Sequence, residues 1–158
     1  MTTAIFAGSF DPFTLGHMDI VNRSVHLCDE LIIGIGHNSA KKTLFSLDER
    51  MAFINDYVNG EIEIKPYDGL LADFVIQENA LILIRGVRSL ADFEYEMTMA
   101  QINKKLVPNV ETILLPADPQ LSLVSSSLLK ELAKHKAETV YRQYCSAKVE
   151  TALFSKFQ

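Results

Sequence analysis

The stretch Gly8-Ser9-Phe10-Asp11-Pro12-Phe13-Thr14-Leu15-Gly16-His17 has the residue types for phosphate chemistry. It joins a short apolar run to a helical pattern, which puts His17 in the first turn of a helix. A helix N-terminus offers free N–H groups and a partial positive charge, both suited to an anion. Gly8 would let a ligand approach the backbone and Gly16 would permit tight packing at the helix start. His17 could donate hydrogen bonds to phosphate oxygens. The spacing is neither G-x-G-x-x-G nor G-x-x-x-x-G-K-[ST], which excludes dinucleotide-oxidoreductase and P-loop readings of this loop. The same residues also read as an ordinary strand–helix turn punctuated by Pro12 and Gly16. Spacing alone leaves both readings open.

Further polar groups cluster after other apolar runs. Lys41-Lys42 follows the second, and adjacent lysines are usually a solvated face. Arg85-Gly86-Val87-Arg88 comes immediately beyond the clearest run of all. Arginine grips phosphate in a fork, and Gly86 would let the backbone face a flat ligand. Asp92, Glu94 and Glu96 lie about one helical turn from those arginines, at a spacing that suits ion pairing. Ser125-Ser126-Ser127 opens a helix, where serines serve as caps or hold a triphosphate, and the sequence does not separate the two. His26 sits in a helical pattern, His135 in a Lys-rich helix and His37 after a strand, none with a second ligand at metal-binding spacing. No metal held by protein side chains is expected.

These loops need a scaffold. Residues 2–7, 31–35, 61–64, 81–84 and 110–115 read as strands, several of them continuously apolar, as strands covered on both faces require. Met18, Val21, Val25 and Cys28 fall on one helix face. Ser46-Leu47-Asp48-Glu49 is a capping box that starts a helix at Leu47. Ser89-x-x-Asp92 opens another helix, to about Leu106, ended near Pro108. From Ser126 onward the chain reads as helices. Strand–helix alternation of this kind predicts a single doubly wound α/β domain over residues 1–158. It is a Rossmann-like five-stranded parallel sheet with helices on both faces and a C-terminal helical tail. Ligands of such sheets bind beyond the carboxyl ends of the strands.

Composition sets outer bounds. The chain has 158 residues, 48% of them hydrophobic, and a net charge of −5. That charge argues against a nucleic-acid partner, though not against a local basic pocket. No apolar run approaches the roughly 18–20 residues of a membrane span, and no signal peptide is evident. Cys28 and Cys145 lie far apart, with no C-x-x-C, a pattern that suits a reducing cytoplasm. A soluble cytoplasmic protein is expected.

Taken together, Gly8-Ser9-Phe10-Asp11-Pro12 with Thr14-x-Gly16-His17 resembles the signature of the T/H-x-G-H nucleotidyltransferases. Arg85-Gly86-Val87-Arg88, Asp92-Phe93-Glu94-Tyr95-Glu96 and Ser125-Ser126-Ser127 look like those of bacterial phosphopantetheine adenylyltransferases within that superfamily. The likeness runs in order from the first strand to about residue 135. It departs at Ala7 and Thr43, where the family often has proline, and at Leu121-Ser122-Leu123-Val124, where aromatics are usual. The resemblance implies transfer of an adenylyl group from ATP to 4′-phosphopantetheine with Mg²⁺. It implies catalytic roles for His17 and Lys41, His17 and Ser9 contacting the ATP phosphates. Phe10, Gly86, Val87, Arg88, Glu96 and the stretch Leu121, Ser122, Leu123, Val124, Ser125, Ser126 and Ser127 would complete the ATP site. Ser9, Lys41, Leu71 and Arg85 would hold the acceptor. The resemblance also implies a homohexamer and feedback by coenzyme A.

Overall fold

The computed structural model describes residues 1–37 and 42–158. Its strands are β1 (Thr3–Gly8), β2 (Glu30–Gly36), β3 (Glu63–Tyr67), β4 (Ile82–Val87) and β5 (Glu111–Pro116). They form one parallel sheet in the order β3-β2-β1-β4-β5. The helices are α1 (Leu15–Ser24), α2 (Leu47–Val58), α3 (Leu71–Gln77), α4 (Leu90–Leu106), α5 (Ser126–Lys134), α6 (Glu138–Tyr141) and α7 (Ala147–Lys156). The expected doubly wound sheet is therefore present, with its C-terminal helices.

Alternate side chains of the central strand enter opposite cores, as the period of a strand dictates. Ala4 and Phe6 join Ile33, Ile35 and Ile84 in a core completed by α1, α2, α5 and α7. Ile5 and Ala7 join Ile32 and Leu83 against Phe74 and Val75 of α3. Each fully buried isoleucine of this kind stabilises the fold by about 1.5–3 kcal/mol. Chain order reverses where β1 lies between β2 and β4, which opens a crevice at the carboxyl ends of β1 and β4.

Both capping signals hold. Ser46 and Glu49 form a reciprocal box at the start of α2, and Ser89 caps α4 by accepting from the Asp92 N–H. Three elements differ from the sequence reading by more than a residue at one end. The third strand begins at Glu63, because the turn at Asn59 and Gly60, both at positive φ, still engages the Glu61 N–H with the Val58 carbonyl at 2.9 Å. It then takes in Pro66, tolerated because β3 is an edge strand. Helix α1 stops at Ser24, whose hydroxyl donates back to the Ile20 carbonyl at 2.6 Å, as the chain turns into β2. Val25 is thus exposed, Cys28 reaches the core from a loop, and His26 lies after the helix rather than within it. Finally, β4 continues to Val87, paired with Pro116. Arg85, Gly86 and Val87 are strand residues, and only Arg88 lies beyond.

Candidate active site

Two cavities meet at the crevice. The first, about 320 Å³, is lined by Gly8, Ser9, Phe10, His17, Arg85–Arg88, Glu96, Leu121 and Val124–Ser127 among others. The second, about 360 Å³, is lined by His37, Tyr67, Leu71, Met99, Asn103 and neighbouring residues. Gly8, Ser9, Arg85 and Glu96 border both. The structure thus gathers most of the sequence-predicted residues around one pair of spaces. Ser122 and Leu123 line neither: the Ser122 hydroxyl donates to the Pro119 carbonyl, and Leu123 is 81% exposed. Lys41 lies outside the described residues.

His17 is the N3 residue of α1 and replaces the usual acidic partner of a capping box. Thr14 accepts from the His17 N–H at 3.3 Å, and the Thr14 N–H donates to His17 Nδ1 at 3.0 Å. Because Nδ1 accepts, the proton of the neutral ring sits on Nε2. Burial, reinforced by the charges of Arg88 and Arg85, pulls the His17 pKa down to about 3. The ring is braced edge-on by Phe10 at 5.1 Å and by a tilted Phe13 ring at 5.3 Å between centroids. His17 is therefore an oriented neutral donor in a cationic setting.

Phe10 holds its ring there at a cost. Its φ is 48°, a conformation that strains a bulky side chain by about 1–3 kcal/mol. Gly8 makes room for it: a Cβ at residue 8 would lie 3.0 Å from the Phe10 ring. A Cβ at residue 86 would lie 3.2 Å from Ile20. The glycine of the arginine motif therefore makes room for α1, and it also lines the first cavity.

Arg85 forms a bidentate pair with Glu96, Nε to Oε2 at 2.8 Å and Nη2 to Oε1 at 2.7 Å. Its Nη1 donates to the Ala7 carbonyl. A guanidinium has five N–H donors, so two remain for a ligand. Burial alone would lower the Arg85 pKa, but the ion pair with Glu96 outweighs it and raises it. Arg88 pairs with Asp92 at 3.2 Å and donates to the Val124 carbonyl, tying α4 to the serine stretch. Ser125 caps α5, and the Ser126 hydroxyl donates to the Pro12 carbonyl at 2.7 Å. The capping role of the serines is thus present, and Ser125, Ser126 and Ser127 also line the first cavity.

Two buried charges went unassigned in the sequence. Asp11, 5% exposed, accepts from the Leu44 and Phe45 N–H groups, each at 2.9 Å, and from Lys130 at 3.1 Å. It anchors the segment that follows the lysine pair. Arg50 of α2 reaches the carbonyls of Ser9 and Gly36. Asp11 lies in the loop whose residue types suit phosphate chemistry, whereas nothing local distinguishes Arg50 from a solvated helix arginine.

Fold and site together define a nucleotidyltransferase, and the cytidylyltransferase-like family matches residues 5–132. Phosphopantetheine adenylyltransferase of Cutibacterium acnes is 44% identical over 156 residues, covering 98% of both chains. That of Psychromonas ingrahamii is 44% identical over 141 residues, covering 87% of each. The chain belongs to the phosphopantetheine adenylyltransferase family, as its motifs suggested. The Plasmodium falciparum nicotinic acid mononucleotide adenylyltransferase, solved with NaAD, shares the fold at a TM-score of 0.70 and 14% identity, over 98% of this chain and 95% of that one.

Proposed function

We infer that this enzyme transfers the adenylyl group of ATP to the phosphate of 4′-phosphopantetheine, giving dephospho-coenzyme A and pyrophosphate. The observation that carries the reading is the shared border of the two cavities at Ser9 and Arg85. ATP would occupy the first cavity and the acceptor the second, with Leu71 along its arm and Lys41 and Arg85 at its phosphate. An acceptor oxygen forms a bond to the α-phosphorus while the bond to the β-phosphate bridging oxygen breaks, and pyrophosphate leaves with the electron pair. The acceptor phosphate is largely ionised near neutral pH, so no general base is required and no covalent enzyme intermediate forms. Catalysis is positioning and charge stabilisation: His17 Nε2–H would donate to the α-phosphate, while Arg85, Arg88 and Lys41 offset repulsion between two polyanions.

Mg²⁺ is proposed to enter as part of the ATP substrate, held by phosphate oxygens and water as is usual for that ion. The described residues hold no group of three His, Cys, Asp or Glu that could bind a metal. The carboxylates of Glu96 and Asp92 are already paired with arginines. Coenzyme A, which carries the same pantetheine arm, is proposed as a competing ligand. The two free cysteines fit a cytoplasmic enzyme, and among the described residues no helix is long and apolar enough to cross a membrane.

The direct test mixes protein, ATP, Mg²⁺ and 4′-phosphopantetheine and follows pyrophosphate release with mass detection of dephospho-coenzyme A. Nicotinamide mononucleotide and glycerol phosphate serve as parallel acceptors. Product with phosphopantetheine alone is expected; turnover with another acceptor would keep the ATP site and overturn the substrate.

A homohexamer is part of the same proposal. Helix α4 buries only Glu96 and Asn103 and leaves Tyr95, Ile102 and Leu106 exposed along one stripe. A stripe of that kind favours association with further copies. Light scattering is expected to give about six times the 17.7 kDa chain mass, and Ile102→Glu to shift it to smaller species. An unchanged mass in that variant would place the interface elsewhere.

A further inference from the structure

Arg50 is 1% exposed, yet among the described residues it has no carboxylate within ion-pair distance. From the first turn of α2 its Nη1 donates to the Ser9 carbonyl at 2.7 Å and to the Gly36 carbonyl at 3.2 Å. Gly36 ends β2, and Ser9 directly follows the last residue of β1, its parallel neighbour. One guanidinium nitrogen therefore fastens two adjacent strand ends. Among the described residues its buried Nε has no hydrogen-bond partner. The carboxylate whose charge acts on it, Asp11, is committed to Leu44, Phe45 and Lys130. Burying a cation on such terms is costly, and an apolar side chain could fill the same space. What the arginine supplies there is a planar, pre-organised nitrogen that bonds two carbonyls at once.

We propose that Arg50 is a positioning residue for adenylyl transfer. Through the Ser9 and Gly36 carbonyls it fixes the separation of the loops after β1 and β2. Because Ser9 borders both cavities, that separation sets the distance between the acceptor phosphate and the α-phosphate. Arg50 touches neither substrate, and its effect passes through the Ser9 backbone. The inference rests on the assignment of the two cavities to ATP and 4′-phosphopantetheine.

The test uses the full-length Arg50→Lys and Arg50→Gln variants. Lysine keeps the charge without the planar fork, and glutamine loses the charge. A misplacement of about 1 Å can lower a rate by about 10². Turnover is expected to fall about 10-fold in Arg50→Lys and about 10²-fold in Arg50→Gln. KM for both substrates should stay within about threefold. Turnover near that of the wild type, or a loss confined to KM, overturns the proposal. In the ¹⁵N-labelled wild type, with binding verified calorimetrically on the same sample, the Arg50 guanidinium signals should move when 4′-phosphopantetheine or a non-hydrolysable ATP analogue binds. Signals that ignore both bound ligands overturn the proposal even if neither variant folds. A wild type that turns over no phosphopantetheine is a failure of the functional reading instead. The amides of Phe10 and His37, in the peptides that Arg50 holds, then judge the clamp on their own: shifted in Arg50→Lys if it exists, unmoved if it does not.

Discussion

Replacing His17 with alanine is expected to lower turnover by about 10²–10³, the scale of one preorganised donor to developing charge, while ATP affinity changes less. Two features underlie the size of this effect. The Thr14 N–H fixes the proton on Nε2, and the aromatic bracket of Phe10 and Phe13 fixes the ring. The donor is in place before the transition state forms, which is where such a group is worth most. Because the His17 pKa of the unliganded chain lies near 3, its ring is neutral near neutral pH before substrate binds. Its ¹H–¹⁵N resonances should show no titration between about pH 5 and 8, where an ordinary histidine titrates. The unfolded imidazole takes up a proton below its usual 6.5, so the stability present above that pH is lost as pH falls toward 3. Near-normal turnover in His17→Ala removes His17 from catalysis, and a midpoint near 6.5 in the resonances removes the neutral-donor account.

The sheet was legible because buried parallel strands are written as apolar runs, and β1, β2 and β4 are the most apolar stretches of the chain. The edge strand was less so. Its pairing with β2 covers Pro66, a residue that reads as a strand breaker until β3 is known to lie at the edge. Helix α1 ended early for a related reason: the 3.6-residue period continues through Val25 and Cys28, but the return to β2 does not allow it. Helix starts were read to the residue, because the Ser46 and Ser89 caps are local chemistry.

The site divides along the same line. His17, Arg85, Arg88 and the serines stand at strand ends or helix starts, the positions the fold class marks for ligands. The partners that give them their properties are distant in sequence. Glu96 reaches Arg85 across eleven residues, Ser126 reaches Pro12 across 114, and Arg50 reaches Ser9 across 41. The glycines carry a packing constraint that no local pattern announces. Gly8 and Gly86 do stand at the cavity, but a side chain on them would meet Phe10 and Ile20 of this chain.

Replacing Glu96 with glutamine is expected to be the most destabilising change at the site. Glu96 is 7% exposed and holds two of the three guanidinium nitrogens of Arg85. Without its charge, Arg85 faces a neutral amide in a largely buried setting. Removing one partner of a buried pair costs about 3–5 kcal/mol. The Arg85 side chain is 25% exposed, which favours the lower end of that range. At about 3 kcal/mol the melting temperature should fall by about 6–12 °C for a chain of this length. Activity should suffer as well, because the same two bonds aim the remaining Arg85 donors between the cavities. A loss of about tenfold in kcat/KM for the acceptor is expected. The control is Asp92→Asn, which weakens the neighbouring Arg88 pair. There the side chains are 38% and 31% exposed, and a pair so open to solvent is worth about 0–1 kcal/mol. Calorimetric melting of the two variants side by side decides the matter. A large fall for Glu96→Gln beside a small one for Asp92→Asn supports burial as the cause. Equal falls would mean that Arg85 gains no more from its carboxylate than a surface arginine does.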